Sequence, residues 1–512
     1  MAHSEVLIVG AGPTGLSLAL ALHRLDVPFR IIDRLAAPAS VSKALAVWSG
    51  SLEAFAALGV VEDFIASGIR LHNLHMGDGA REIACMPIAE GVDSPFPFTL
   101  ILPQSRTEEI LARHLAAAGH AVARGVELID VTEIGDTVRA TLRHGDGRTE
   151  TVDTPFLIGC DGARSLVRQT LGIPFEGYTE PQTFILSDTR ITGGIDPSCI
   201  YIWWSAKGSV ALFPVEDGIW RTFALRDEPA QDGPPTLEEM QAHLDACGPP
   251  GLTAHDPSWL SAFRINERLA ASYRRGRIFL AGDAAHIHSP AGGQGMNTGI
   301  QDAVNLGWKI AAVLAGRGDA EALLSSYEAE RRPVAREVVA AAARTMHLGM
   351  VAHGEATRLV RDTLISIASR IPAVRRKIQG AMSETRIAYE SGALWDAVHR
   401  FGADGHPHAG ARARDLVAEE GSLWQHFSIR RHTLLLFGGD EDNAQVRNAA
   451  NGLGKAVDVR TLGIDSRAAE RYGVNGSGWV LVRPDQFIAA RGGPDDVAAF
   501  DAYARLALEP AV

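Results

Sequence analysis

The chain has 512 residues, 46% of them hydrophobic and 21% charged, with 52 Gly, 25 Pro and only 6% aromatic residues. One hydrophobic core stops growing near about 250–300 residues, so more than one is expected, and the apolar content excludes a disordered chain. A net charge of −12 excludes a dedicated nucleic-acid binder, which carries a basic stripe. Cys85, Cys160, Cys199 and Cys247 are far apart and form no CxxC pair, so neither a zinc site nor a disulfide framework is expected. A reduced, cytoplasmic setting fits that cysteine usage. Residues 6–22 are apolar but lack a basic leader and are broken by Gly10, Gly12, Pro13 and Gly15, which argues against a signal peptide. With no longer apolar run elsewhere, a soluble protein without a membrane partner is expected.

Residues 5–9 form a short apolar run bounded by glycine, the pattern of a buried parallel strand. A Leu/Ala-rich helix over 16–25 follows, and then a second strand over 29–32 closing on Asp33. Further along, a helix is expected over 107–118, strands over 126–134 and 138–144 with a turn at 145–147, and a buried strand over 156–159. Residues 181–226 change character, with alternating, aromatic-bearing strands over 183–191, 199–205, 210–214 and 220–225. The buried-strand pattern returns at 277–281, followed by a helix over 297–314 and further helices from 321 to about 379. Past Gly402, strands over 433–437 and 479–483 and a helix over 495–508 read as a separate α/β domain.

Gly10-x-Gly12-x-x-Gly15 lies between strand and helix, and Asp33 falls eighteen residues after the last glycine at the end of the next strand. Glycines there allow a tight turn and close approach of the backbone to a pyrophosphate, and the carboxylate accepts hydrogen bonds from ribose hydroxyls. This signals a dinucleotide without deciding between FAD and NAD.

Two more motifs carry the decision. Gly159-Cys160-Asp161-Gly162-Ala163-Arg164-Ser165, followed by Arg168, is one; Gly282-Asp283-Ala284-Ala285-His286 through Ser289-Pro290-Ala291-Gly292-Gly293-Gln294-Gly295-Met296-Asn297 is the other. Both closely resemble fingerprints of FAD-dependent aromatic hydroxylases, the single-component flavoprotein monooxygenases typified by para-hydroxybenzoate hydroxylase and phenol hydroxylase. The resemblance covers residues 4–180 and 265–345, and the last domain looks like the thioredoxin-like extension of the phenol hydroxylase branch. It implies an α/β and α+β fold: a Rossmann-like FAD domain (1–72, 103–180, 269–345), an inserted antiparallel-sheet substrate domain (73–102, 181–268), a helical linker region (346–400) and a thioredoxin-like C-terminal domain (401–512). The last has no cysteine, which excludes thiol redox chemistry there.

The resemblance further implies that NAD(P)H reduces FAD and that O2 then adds at flavin C4a. The hydroperoxide so formed hydroxylates an aromatic, phenolic substrate, while the protein binds, excludes water and tunes charge. The expected cofactor contacts are Gly10, Gly12, Gly15, Asp33, Arg34, Lys43, Gln104, Asp161, Arg164, Asp283, Gly292, Gly295, Met296 and Asn297. The expected catalytic positions are Pro290, Gly293 and His288; no metal is expected. No second Rossmann unit is present, so the nicotinamide is read as a transient co-substrate. The family commonly has arginine at the place of Lys43, in a chain with only five lysines, and a stretch like His-Ala-Arg-Thr where this chain has Trp48-Ser49-Gly50-Ser51.

Several readings stay open at this level. Asp283 reads as a flavin contact or a helix cap, Asp161 and Arg164 as cofactor contacts or a local ion pair. His286 and His288 read as bases or packing groups, and Trp48 as a flat surface near the flavin or as core. Trp203, Phe213 and Arg221 are candidates for the substrate wall, with the inward face undecided. The substrate is read as a neutral phenol or larger polycyclic aromatic, the alternatives being an antibiotic- or polyketide-modifying monooxygenase and a flavoprotein that binds without turnover. Association into a homodimer is left open.

Overall fold

The strand Val6–Val9 is buried along its whole length and pairs in parallel with Phe29–Asp33 on one side and Phe156–Gly159 on the other. Ile278–Leu280 and Ala123–Arg124 extend this sheet in parallel, and Arg274–Arg275 closes one edge antiparallel. The computed structural model describes residues 4–38, 42–216, 218–226, 233–347, 355–399, 407–418, 421–439, 441–463 and 467–511. Helices Pro13–Arg24 and Gly295–Leu314 pack together against the sheet. Because the strands run parallel, Gly10, Asp33, Gly159 and Gly282 all leave the sheet at its carboxyl edge, where open α/β sheets bind ligands.

A second sheet has eight strands: His286–Ile287, Thr253–Ala270, Phe175–Thr192, Ile219–Leu225, Gly208–Glu216, Cys199–Ser205, Asn73–Asp78 and Arg81–Pro87. Its neighbours are antiparallel except Cys199–Ser205 and Asn73–Asp78, a parallel pair that departs from the purely antiparallel expectation. Helix Leu237–Cys247 covers one face, burying Met240, Leu244 and Cys247 against Ile185, Trp203, Val210, Leu212 and Trp220. The opposite face presents Phe184, Ala211, Phe223 and Ile265 with Met346, and Phe213, Phe263 and Ala291 pack at its margin.

The C-terminal sheet is ordered Val457–Leu462, His432–Phe437, Gly478–Val482, Ile488–Gly492. Its first pair is parallel and the others antiparallel; with helices Ala444–Gly452, Arg467–Arg471 and Val497–Ala507 this is a thioredoxin-like arrangement. The expected onset of this domain at 401 lies outside the described residues. A buried polar cluster joins it to the first unit. Arg483 binds Glu330 through both guanidinium nitrogens, at 2.7 and 2.8 Å, and Asp485 at 2.9 and 2.6 Å. Lys309 adds a 2.7 Å contact to Glu330, and Asn305 bridges Glu330 and Asp485. Among the described residues no helix is long and apolar enough to cross a membrane.

Candidate functional site

The three glycines of the first motif serve different ends. A Cβ on Gly10 (φ +105°) would sit 2.3 Å from the Cys160 carbonyl oxygen, and one on Gly15 would sit 2.0 Å from that of Gly10. At Gly12 a Cβ would meet no protein atom within 4 Å, so protein packing does not demand glycine there and the backbone is open to a phosphate. Asp33 fixes the turn: Oδ2 accepts the Ala11 N–H and Oδ1 the Leu35 N–H, both at 2.8 Å. The contrast gives an expected result. Gly15→Ala fails to fold, whereas Gly12→Ala keeps the wild-type melting temperature without ligand and binds FAD about tenfold or more weakly, as read by calorimetric titration.

Asp283 follows the strand Ile278–Leu280 in a single turn, Gly282–Ala284, and does not cap it. Its side chain reaches solvent and makes no hydrogen bond to protein among the described residues, yet the surrounding cleft desolvates it and raises its pKa, opposed by His286 and Lys43. His286 is fully buried, with Nε2 donating to Asp302 Oδ2 at 2.8 Å. Asp302 Oδ1 accepts from Arg331 Nε at 2.7 Å, and Oδ2 also accepts the Gly282 N–H at 3.1 Å. His286 therefore holds the turn that carries Asp283.

The segment 288–297 is held from beneath. Trp48, 2% exposed, is a core side chain, and its indole N–H donates to the Gly292 carbonyl at 2.9 Å. The Asn297 side-chain amide is spent on protein, which leaves its backbone N–H, in the first turn of the helix, as the group open to a cofactor. Its Oδ1 accepts the Trp48 N–H at 2.9 Å, and its Nδ2 donates to the Ala46 and Gly293 carbonyls at 2.9 and 2.8 Å. The helix begins two residues earlier than expected, at Gly295, with Met296 buried in its first turn, and presents free backbone N–H groups beside Gly292 and Gly293. Pro290 is exposed, and its carbonyl accepts the Gly293 N–H at 2.9 Å. His288 donates from Nδ1 to the Ser289 carbonyl at 2.7 Å, leaving Nε2 as a buried acceptor without a partner among the described residues. Burial lowers its pKa to about 4, so it stays neutral at ordinary pH and is a poor base for a phenol.

In the motif at 159–168 the local ion pair that was one of its two readings does not form. Asp161 Oδ2 accepts the Leu166 and Val167 N–H groups at 2.7 and 3.2 Å, capping a short helix, and does not pair with Arg164. Burial raises the Asp161 carboxyl. Arg168, quoted only as part of the motif, is buried and donates to the Ala284 carbonyl at 2.8 Å, tying this loop to the Asp283 turn. Arg34, Lys43 and Arg164 are exposed and pair with no carboxylate among the described residues. Gln104 opens helix Gln104–Ala117 and donates to Glu108 at 2.9 Å, near Asp33 and Arg124.

Of the three wall candidates, Phe213 lies on the face toward the 288–293 loop. Trp203 faces helix Leu237–Cys247 and is removed from the wall. Arg221 is consumed: it binds Asp188 at 2.8 and 2.7 Å and the Lys43 carbonyl at 2.9 Å. Sequence reasoning missed Asp302, Arg331 and the buried carboxylates Glu180 and Glu267, which sit outside any motif.

An open Gly12 backbone, an unpartnered Asp283 carboxylate, an orphaned His288 Nε2 and a helix N-terminus on one sheet edge fit a flavin dinucleotide. Residues 3–342 match the family model "FAD binding domain", and residues 406–510 match "Aromatic-ring hydroxylase, C-terminal". The 6-methylpretetramide 4-monooxygenase of Streptomyces rimosus is 35% identical over 95% of this chain and 90% of its own length. Pentachlorophenol 4-monooxygenase of Sphingobium chlorophenolicum is 32% identical over 96% and 95%. Among solved structures, OxyS anhydrotetracycline hydroxylase from Streptomyces rimosus superposes with a TM-score of 0.78 at 32% identity, covering 99% of this chain and all of that one (100%).

Proposed function

Because the chain belongs to the FAD-dependent aromatic-ring hydroxylases, we propose that it uses NAD(P)H and O2 to hydroxylate a neutral, phenolic polycyclic compound. One observation carries the substrate class. The sheet face opposite the 288–293 loop is lined by Phe184, Phe213, Phe223 and Phe263, and the arginine beside them, Arg221, is already neutralised by Asp188. Such a wall has broad aromatic surface and no guanidinium to spare for a carboxylate, which favours a flat polycycle over a small aromatic acid. Relatives named for 6-methylpretetramide and anhydrotetracycline support the same reading.

Bound FAD supplies the electrons and the activated oxygen. The chain does the rest: Gly10–Gly15 and the helix behind it hold the pyrophosphate, with Asp33 and Asp283 placed for hydroxyl groups. The N-terminus of Gly295–Leu314 offers N–H groups and a positive dipole end to the negative charge of a reduced ring. His288, neutral, accepts a hydrogen bond at Nε2, and the aromatic wall keeps water out. Arg34, Lys43 and Arg164, exposed and without a carboxylate partner among the described residues, are available to the phosphates of FAD or of a transient NAD(P)H. Anaerobic reduction of the FAD-loaded protein by NADPH or NADH, with and without a panel of phenolic polycycles, tests this. A ligand from the panel should speed flavin reduction and, on admission of air, yield a product one oxygen heavier by mass spectrometry. Flavin that stays oxidised with every ligand refutes the proposal.

A further inference from the structure

The strand Thr253–Ala270 sends alternate side chains to opposite faces, and Phe263 and Ile265 belong to the face that looks at the 288–293 loop. Next in that alternation is Glu267, only 2% exposed. Its Oε1 accepts the Ser289 N–H at 3.1 Å; its Oε2 is buried and takes no hydrogen bond among the described residues. Beside it on the neighbouring strand, at a bulge, stands Glu180, 3% exposed, with Oε1 at 3.0 Å from His347 Nε2. Glu180 is two residues from Tyr178, the register partner of Glu267, and the His347 side chain beside it is 47% exposed; along this line from Glu267 to His347, Glu180 Oε1 takes no hydrogen bond among the described residues. The other groups facing this line do not neutralise it. Tyr178 hydrogen-bonds Glu180, Gln182 Oε1 is buried without a partner, and Arg268 turns instead to the Phe175 carbonyl and Thr179 Oγ1. A buried carboxylate with no cation is costly, and such groups cluster at sites of chemistry.

Resting on the hydroxylase reading, we infer that Glu267 takes the phenolic proton of the substrate and passes it through Glu180 and His347 to solvent. The phenol O–H bond breaks and an O–H bond forms at Glu267 Oε2; the electron pair stays on the phenol oxygen and enriches the ortho and para carbons. The proton then moves to Glu180, to His347 and to water, restoring the Glu267 carboxylate. Burial and the neighbouring Glu180 charge raise Glu267 to about 7, which matches a base working near neutral pH, whereas His288 is held too low.

The test compares FAD-loaded wild type with Glu267→Gln, which keeps an acceptor for the Ser289 N–H and removes the titration. Turnover is measured for phenols of graded acidity, from polycyclic phenols that are neutral at pH 7 to pentachlorophenol, which is already ionised. The variant should lose about a hundredfold or more in kcat on the neutral phenols and keep the wild-type rate on pentachlorophenol, with FAD content and melting temperature unchanged. Infrared difference spectra of the FAD-loaded protein, which need no turnover, should show, beside the band of buried Glu384, raised to about 8, a protonated-carboxyl component that titrates near pH 7, is lost in Glu267→Gln and shifts to lower pH in Glu180→Gln. Equal slowing on both kinds of phenol, no slowing on either, or carboxyl bands identical in wild type and Glu267→Gln overturns the inference. If wild type oxygenates no phenol although the band is present, the hydroxylase reading itself has failed and takes the inference with it.

Discussion

Arg483→Met is expected to uncouple the C-terminal domain, destabilising its attachment by about 3–5 kcal/mol, because it leaves two buried carboxylates facing one remaining cation. Glu330 and Asp485 both lose their guanidinium contacts in that variant, and only Lys309 continues to balance Glu330. Scanning calorimetry should resolve an early transition for residues beyond 407, and a single transition at the wild-type temperature would contradict this. The pH dependence follows from Glu330. Burial alone would raise its pKa, but Arg483 and Lys309 outweigh burial and hold it down to about 2, below its ordinary 4.5. The stabilisation is therefore complete above about pH 4.5 and is lost as pH falls toward 2. Without Arg483 burial counts for more, so the variant should lose stability on acidification at a higher pH than wild type.

The second large effect is expected at Asp302→Ala. This carboxylate gathers His286, Arg331 and the Gly282 N–H into one buried cluster, and its removal takes from the interior cation Arg331 its carboxylate contact. The cost is again about 3–5 kcal/mol, and it falls on the turn that carries Asp283. The variant should purify with little bound flavin, seen as loss of visible absorbance. Asp302→Asn, which keeps the shape and one acceptor, should retain more. Full flavin occupancy in Asp302→Ala would show that the Asp283 turn does not depend on this cluster.

The glycine motif, Asp33 and the strands around them were legible because a strand–turn–helix that binds a pyrophosphate compresses its requirements into adjacent residues. Asp302 and Arg331 were not, since each lies on a helix whose sequence shows only amphipathic spacing, and their meeting with His286 is a matter of packing. The strand Thr253–Ala270 was illegible for another reason: Asp256, Pro257 and Ser258 interrupt its alternation, and it is held by Phe175–Thr192 over fourteen registered pairs. Glu267 was hidden with it. Helix Leu237–Cys247 could have been found, because Thr236 and Glu239 have the spacing of a capping box and the Thr236 hydroxyl does accept the Glu239 N–H at 3.2 Å. Trp203 and Arg221 looked alike as wall candidates because alternation names two faces without saying which one a helix will cover.

The two-residue strand His286–Ile287 is stitched to Leu269 and Arg268, and the Ala270 N–H donates to the Ala285 carbonyl at 2.7 Å. The loop and the aromatic sheet are thus spaced by peptide bonds rather than by side chains. Substitutions at Phe213, Phe223 or Phe263 can deepen or widen the room between them, but its ceiling height is a backbone dimension. Substrate thickness is therefore the property least open to change by point mutation, and length and breadth are the properties most open to it.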